Sequence, residues 1–179
     1  MIPDRLKSED LIKPITRAEF AAVAVKAYEA LSGVEAMPGD HNPFTDTDDV
    51  EVLKAYNVGI TAGVATDKFD PDAILNREQA ATMLARVFKK VSIPGWTLEN
   101  DAEFPLQYEN PKPFADNEKI SDWAIDSVYF MTANEITQAV GNNMFAPRNI
   151  TNDEEIRGYA NATREQALLI AIRMVEKLK

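Results

Sequence analysis

Three stretches of this sequence align without gaps, and that repetition constrains the fold more than any other feature. The first runs Thr16-Arg17-Ala18-Glu19-Phe20-Ala21-Ala22-Val23 and on to Leu31. The second runs Asn76-Arg77-Glu78-Gln79-Ala80-Ala81-Thr82-Met83 and on to Val91. The third runs Thr163-Arg164-Glu165-Gln166-Ala167-Leu168-Leu169-Ile170 and on to Leu178. Each opens on a helix-capping residue followed by arginine, carries Glu or Gln three places after the cap, and continues without Gly or Pro. This pattern predicts three helices, each opened by a capping box: Thr16, Asn76 and Thr163 accept from first-turn amides, while Glu19, Gln79 and Gln166 reach back to the cap amide. Apolar residues recur at helical spacing, with Phe20, Val23, Ala27 and Leu31 in the first, Ala80, Met83, Leu84 and Val87 in the second, and Ala167, Ile170, Ala171 and Met174 in the third. A single helix cannot bury such a stripe. The three are therefore expected to pack centrally, with their arginine-bearing ends towards one side.

A second shared element precedes the later two helices. One copy runs Phe44-Thr45-Asp46, Val52-Leu53, Gly59-Ile60 and Phe69-Asp70-Pro71. The other runs Phe114-Ala115-Asp116, Trp123, Val128, Ile136 and Phe145-Ala146-Pro147. Between the first Phe and the Ile lies a short amphipathic helix, with Ser121 its expected cap in the later copy. Between the Ile and the second Phe lies a turn-rich loop closed by the aromatic ring. The unit is thus short helix, loop, long helix. Met37 to Pro43 links the first two units. The stretch from Pro94 to Pro113, with Pro105 and Pro111 inside it, is a longer linker expected to run extended over the surface. Thr151-Asn152-Asp153-Glu154 reads as one more capping box, so the segment before Thr163 holds a short extra helix ending near Gly158.

Composition narrows the function classes. The 179 residues are 45% hydrophobic and 27% charged, an ordinary globular balance. With no cysteine, disulfides and thiolate metal sites are excluded. A net charge of −10 without a basic face argues against nucleic acid as a partner. No apolar run is long enough to span a bilayer, and the opening Met-Ile-Pro-Asp-Arg does not read as a signal peptide, which a secreted parent would carry upstream. Asp46-x-Asp48-Asp49-x-Glu51 is spaced like part of a calcium loop but lacks the glycine and the distal glutamate of an EF-hand. His41, the one histidine, sits in a linker, so no zinc site is expected. No phosphate loop, nucleophile motif or distinct carboxylate couple is present, so neither catalytic residues nor a cofactor are expected.

Taken together, Phe-x-Asp, Trp-Ala-x-x-x-Val, Phe-x-Pro and Ile15-Thr16-Arg17-Ala18-Glu19-Phe20-Ala21 resemble the S-layer homology domain family. The resemblance implies a mainly all-α, pseudo-threefold assembly of about three such motifs with the long helices at the centre. It also implies a non-catalytic, extracellular module of a Gram-positive cell wall or S-layer, which binds secondary cell-wall polysaccharide, often sugar bearing a pyruvate ketal. On this reading residues 1–36 are a partial first motif lacking its short helix, 37–93 the second, 94–113 a linker and 114–179 the third, with an insertion near 150–162, all in one domain. The second motif has no tryptophan, and Gln replaces Glu in the fourth signature position of the later two.

The candidate ligand-binding residues are Arg17, Arg77, Arg164, Asp46, Asp116 and Trp123. Arginine in the first helical position opposes the helix dipole, and the chain places it there three times; an anion bound there would meet amide donors and a guanidinium fork. The alternative is that each arginine pairs with an acid such as Asp46, Asp70 or Asp116. Asp46 and Asp116 fit capping as well as sugar hydroxyls. Trp123 fits a sugar platform as well as a wedge between units. The third motif, where Asp116, Trp123 and Arg164 all survive, is the expected first site, with the insertion as its competitor. The alternative function is a degenerate repeat domain used for protein contact or self-association, because a missing half-unit leaves an apolar groove. Residues Ile2 to Pro14 are expected to be extended or irregular.

Overall fold

The computed structural model describes residues 2–109 and 111–179. Among them are six α-helices and no strand: α1 (Arg17–Ser32), α2 (Val50–Val58), α3 (Arg77–Ser92), α4 (Ile125–Ala133), α5 (Asn152–Arg157) and α6 (Arg164–Leu178). The four capping boxes written in the sequence all form. Thr16, Asn76, Thr151 and Thr163 accept from Glu19, Gln79, Glu154 and Gln166 amides at 3.3, 2.9, 3.2 and 3.2 Å, and the partner side chains bond back to the cap amides. Gly33, Gly59 and Gly158 end α1, α2 and α5 in the left-handed conformation that lacks a Cβ penalty. Helix α4 begins later than its sequence cap suggests. Ser121 sits a turn upstream, and its amide and hydroxyl both donate to the buried Glu78 carboxylate at 2.9 Å, so a charge on α3 organises the entry to α4.

The pseudo-threefold axis is written in hydrogen bonds. The Ile15 amide donates to the Ala162 carbonyl (2.9 Å), Leu75 to Ile15 (3.0 Å) and Ala162 to Leu75 (3.1 Å), a closed ring just before the three long helices. This ring ties their starts together and sets the arginine-bearing ends on one side. The first two amides of each long helix are then capped by the neighbouring unit: Arg17 and Ala18 donate to Ala73 and Pro71, Arg77 and Glu78 to Ala160 and Pro147, and Arg164 and Glu165 to Lys13 and Leu11. Buried Ala21, Ala24, Ala81, Ala85, Ala167 and Ala171 let the helices approach, and Phe20, Leu84 and Met174 fill the space between them.

The symmetry is broken at one place. Helix α1 packs on α2 and α3 packs on α4, but among the described residues no short helix packs on α6. Equivalent positions show the result: Ala22 and Thr82 are buried, whereas Leu169 is 43% exposed. Residues before Thr16 form one turn of 3-10 helix (Asp4–Leu6) and irregular chain. Leu6 is buried there, and Arg5 pairs with Asp49 at the start of α2. The bare apolar face thus lies on α6 rather than beside α1. The proline-rich linker runs over the surface but is anchored by buried Trp96 and Leu106. The Trp96 indole and Lys89 both donate to Asp101, at 2.7 and 2.6 Å.

Candidate functional site

Each long-helix arginine reaches into the loop of the next unit. The carbonyls of Leu11, Pro71 and Pro147 play the same role at the three helix starts, so Glu9, Phe69 and Phe145 occupy equivalent positions. Arg17 lies over the Phe69 ring (4.7 Å to the centroid) and donates to the Ala62 carbonyl (2.7 Å). Arg77 lies over Phe145 (5.0 Å) and donates to the Phe145 and Gln138 carbonyls (2.8 and 2.9 Å). Arg164 finds Glu9 where the others find a ring. It forms ion pairs with Glu9 (3.1 Å) and Glu19 (2.6 Å), the latter through two nitrogens. The expected amide donors are not on offer at any of the three ends, because neighbouring carbonyls hold the first two and the cap holds the third. Any anion there would be bound by side chains.

Around Arg17 these parts enclose a groove of about 490 Å³. One wall is the loop from Thr61 to Val64. The second is a single stripe of α3, Gln79, Thr82, Met83 and Arg86. The third is Trp123 from the entry to α4. Gly63 lets the loop turn tightly: a Cβ there would stand 2.7 Å from the Lys68 carbonyl. Trp123 is 56% exposed and lines the groove. The Nε atoms of Arg17 and Arg86 are buried without a hydrogen-bond partner among the described residues. Burial depresses the Arg17 pKa, as does the nearby charge of Arg86, while Asp70 opposes the shift. Burial also depresses that of Arg86, against the charge of Asp101. Two guanidinium groups thus face one cavity with no acid in its lining.

The other two ends are incomplete for different reasons. The space beside Arg77, lined by Ala80, Met131, Thr137, Gln166 and Ile170, amounts to about 20 Å³. The wall equivalent to Trp123 would come from the first unit, in which the described residues hold no short α-helix. The insertion carrying α5 lies on this side and not beside Arg164: Ala160 caps the Arg77 amide, and Tyr159 meets Met144. At the Arg164 end two carboxylates fill the role an anion would take. Glu19 stands where Gln79 and Gln166 stand in the other grooves. Its burial raises its pKa, but the hydrogen bond from Arg164, then that from Thr16, bring it below the ordinary carboxylate value.

Asp46 and Asp116 are placed on backbone. Asp116 accepts from the Phe145 and Ala146 amides at 2.8 Å each, and Asp46 from the Phe69 and Asp70 amides at 2.9 Å. Both clasp a residue with positive φ, Asp70 at 59° and Ala146 at 55°. That conformation costs a non-glycine residue about 1–2 kcal/mol, so the carboxylates hold a strained turn under the aromatic ring. The expected third-motif trio is therefore dispersed: Asp116 clasps a loop, Arg164 is ion-paired, and Trp123 stands with Arg17. Arg86 escaped the sequence reading. Its signal was an arginine seven residues after Gln79, on the same face of a helix.

Comparison with known proteins places part of the chain. The S-layer homology domain family matches residues 113–152. That stretch is similar to an S-layer homology unit. Units of this family are non-catalytic modules of cell-surface anchoring. The S-layer homology match covers the short helix, the loop and its Phe145 closure, and stops as α5 begins. An endoglucanase from Bacillus sp. (strain KSM-635) is 27% identical over 167 residues, 92% of this chain. The chain spans 15% of the length of that relative. Among the described residues no helix is long and apolar enough to cross a membrane, and no group of His, Asp and Glu is arranged to hold a metal ion.

Proposed function

We propose that this chain anchors a larger extracellular protein by binding an acidic cell-wall polysaccharide in the Arg17 groove, one ligand per chain. The observation that carries this is the groove itself: an exposed indole, a partly unpaired guanidinium over an aromatic ring, and hydroxyl and amide groups from Thr61 and Gln79 around about 490 Å³. An indole stacks on the apolar face of a sugar ring, and a guanidinium fork fits a carboxylate. The Arg77 and Arg164 ends each lack a part of this set, which supports a single site. The test is calorimetric titration of fragments released from Gram-positive wall polysaccharide. Stoichiometry near one, with binding lost in Arg17→Ala and kept in Arg164→Ala, is expected. Equal loss in both variants would overturn the single-site reading.

A second reading rests on the bare face of α6. Leu169 is exposed where its counterparts are covered, so this face could pair with another copy or another protein. Sedimentation of wild type and Leu169→Glu separates the readings: a concentration-dependent mass abolished by the substitution supports self-association.

A further inference from the structure

Arg86 is an unusual residue for the middle of a packed helix. It lies in the second half of α3, its Nε is buried and unpartnered, and among the described residues no acid comes within ion-pair distance of it. Desolvating a guanidinium without a partner is costly, and a core stripe has no need of one. Its counterpart on α1, Lys26, is paired with Glu29 at 2.7 Å, which shows the ordinary way for this position to be satisfied. On α3 the place of Glu29 is taken by Lys89, which points its charge to Asp101. So the fold withholds from Arg86 the acid it supplies to Lys26, and leaves the side chain lining a cavity that Arg17 also lines.

We infer that Arg86 is the second anion-binding residue of the groove, and that a single ligand carboxylate sits between Arg17 and Arg86 while the sugar ring lies on Trp123. This rests on the reading that the groove is the polysaccharide site. A carboxylate has lone pairs for both forks, and bringing it in offsets the repulsion between two like charges. The groove then discriminates acidic from neutral sugar: a neutral ligand would leave two cations desolvated and unpaired, which is a penalty as well as a lost contact.

The experiment uses wall polysaccharide fragments in two forms, native and with their carboxylates reduced to alcohols, titrated into wild type, Arg17→Met, Arg86→Met and Arg86→Lys. Wild type should prefer the native form at least tenfold. Arg86→Met should lose about tenfold or more for the native form and little for the reduced form, with Arg86→Lys between. In ¹⁵N spectra of the wild type the Arg17 and Arg86 Nε–H resonances should both shift on adding the native fragments. That measurement decides the matter even if Arg86→Met is too unstable to handle. If wild type binds neither form, the groove is not a polysaccharide site and the inference falls with that reading. If Arg17→Met abolishes native-form binding while Arg86→Met binds like wild type and the Arg86 resonance stays put, the site stands and the role of Arg86 is refuted. Equal affinity of wild type for both forms also refutes it.

Discussion

Arg17 and Arg164 occupy the same position in equivalent helices, follow the same capping residue and have their amides held by the same kind of neighbouring carbonyl, yet they do opposite things. Arg17 rests on Phe69 and looks into a groove with Arg86 and Trp123. Arg164 is closed into a pair of carboxylates, Glu9 and Glu19. The difference comes from the neighbour and not from the helix. Where the next unit is whole, it supplies an aromatic ring and a walled loop. Where the next unit is the first one, an acid takes the place of the ring and neutralises the cation. An arginine in a repeat is therefore defined by the unit it enters.

The sharpest break of this comparison is stability against binding at the two arginines. Arg164→Ala leaves Glu19, which is largely buried, without its partner, and should cost about 3 kcal/mol in a thermal or denaturant melt, at the lower end for breaking a buried pair. Saccharide affinity should not change. Arg17→Ala should do the reverse, lowering affinity roughly ten- to a hundredfold, the worth of one charge-assisted hydrogen bond, with a small effect on the melt. If Arg164→Ala weakens binding and leaves the melt alone, the two ends are not the opposites described here.

Asp116→Ala tests whether the loop beneath Arg77 needs its clasp. Two buried amides at Phe145 and Ala146 would lose their acceptor and the positive-φ turn its support, for about 2–3 kcal/mol of stability and no direct effect on saccharide binding at the other groove. Trp123→Ala should weaken saccharide binding about tenfold and leave the melt unchanged, because this indole is mostly exposed while Trp96 is buried. Iodide should quench Trp123 in the free protein and less so after saccharide is added; unchanged quenching would remove the indole from the site.

The smallest effect is one of pH. Amides of Ile150 and Thr151, with Lys119, hold Glu154 at a pKa of about 2. A depressed carboxylate stabilises above its unfolded value and loses that contribution as pH falls through the folded one. The amides of α5 should therefore lose protection against exchange between roughly pH 4.5 and 2, while those of α3 hold. Glu19, lowered by Arg164, should act in the same direction at the start of α1. Simultaneous loss of protection in α5 and α3 would show that the insertion and the central helices unfold together.

Much of the fold was legible because its signals are local. The capping boxes at Thr16, Asn76, Thr151 and Thr163 lie within four residues, and a helix that satisfies its own first-turn donors forms wherever it is placed. The repeated apolar stripe showed that these helices needed one another. The start of α4 was misplaced because the group that organises it, Glu78, is 43 residues away in sequence. The site was legible only in part for the same reason: Arg17 and Trp123 were each singled out, but nothing in the sequence joined them.

The sequence by itself determined three capped helices, two short-helix-and-loop units and a charge balance unsuited to nucleic acid, because each of these depends on residues close together in the chain. Only the tertiary structure decided which arginine is free. Closure of the Ile15–Leu75–Ala162 ring sends every arginine into the following unit, so that Arg17 meets Phe69 and Arg86, Arg77 meets Phe145 beside the insertion, and Arg164 meets Glu9 and Glu19. Whether a guanidinium is quenched or available is set by the charges within a few ångströms of it, and those charges come from another unit.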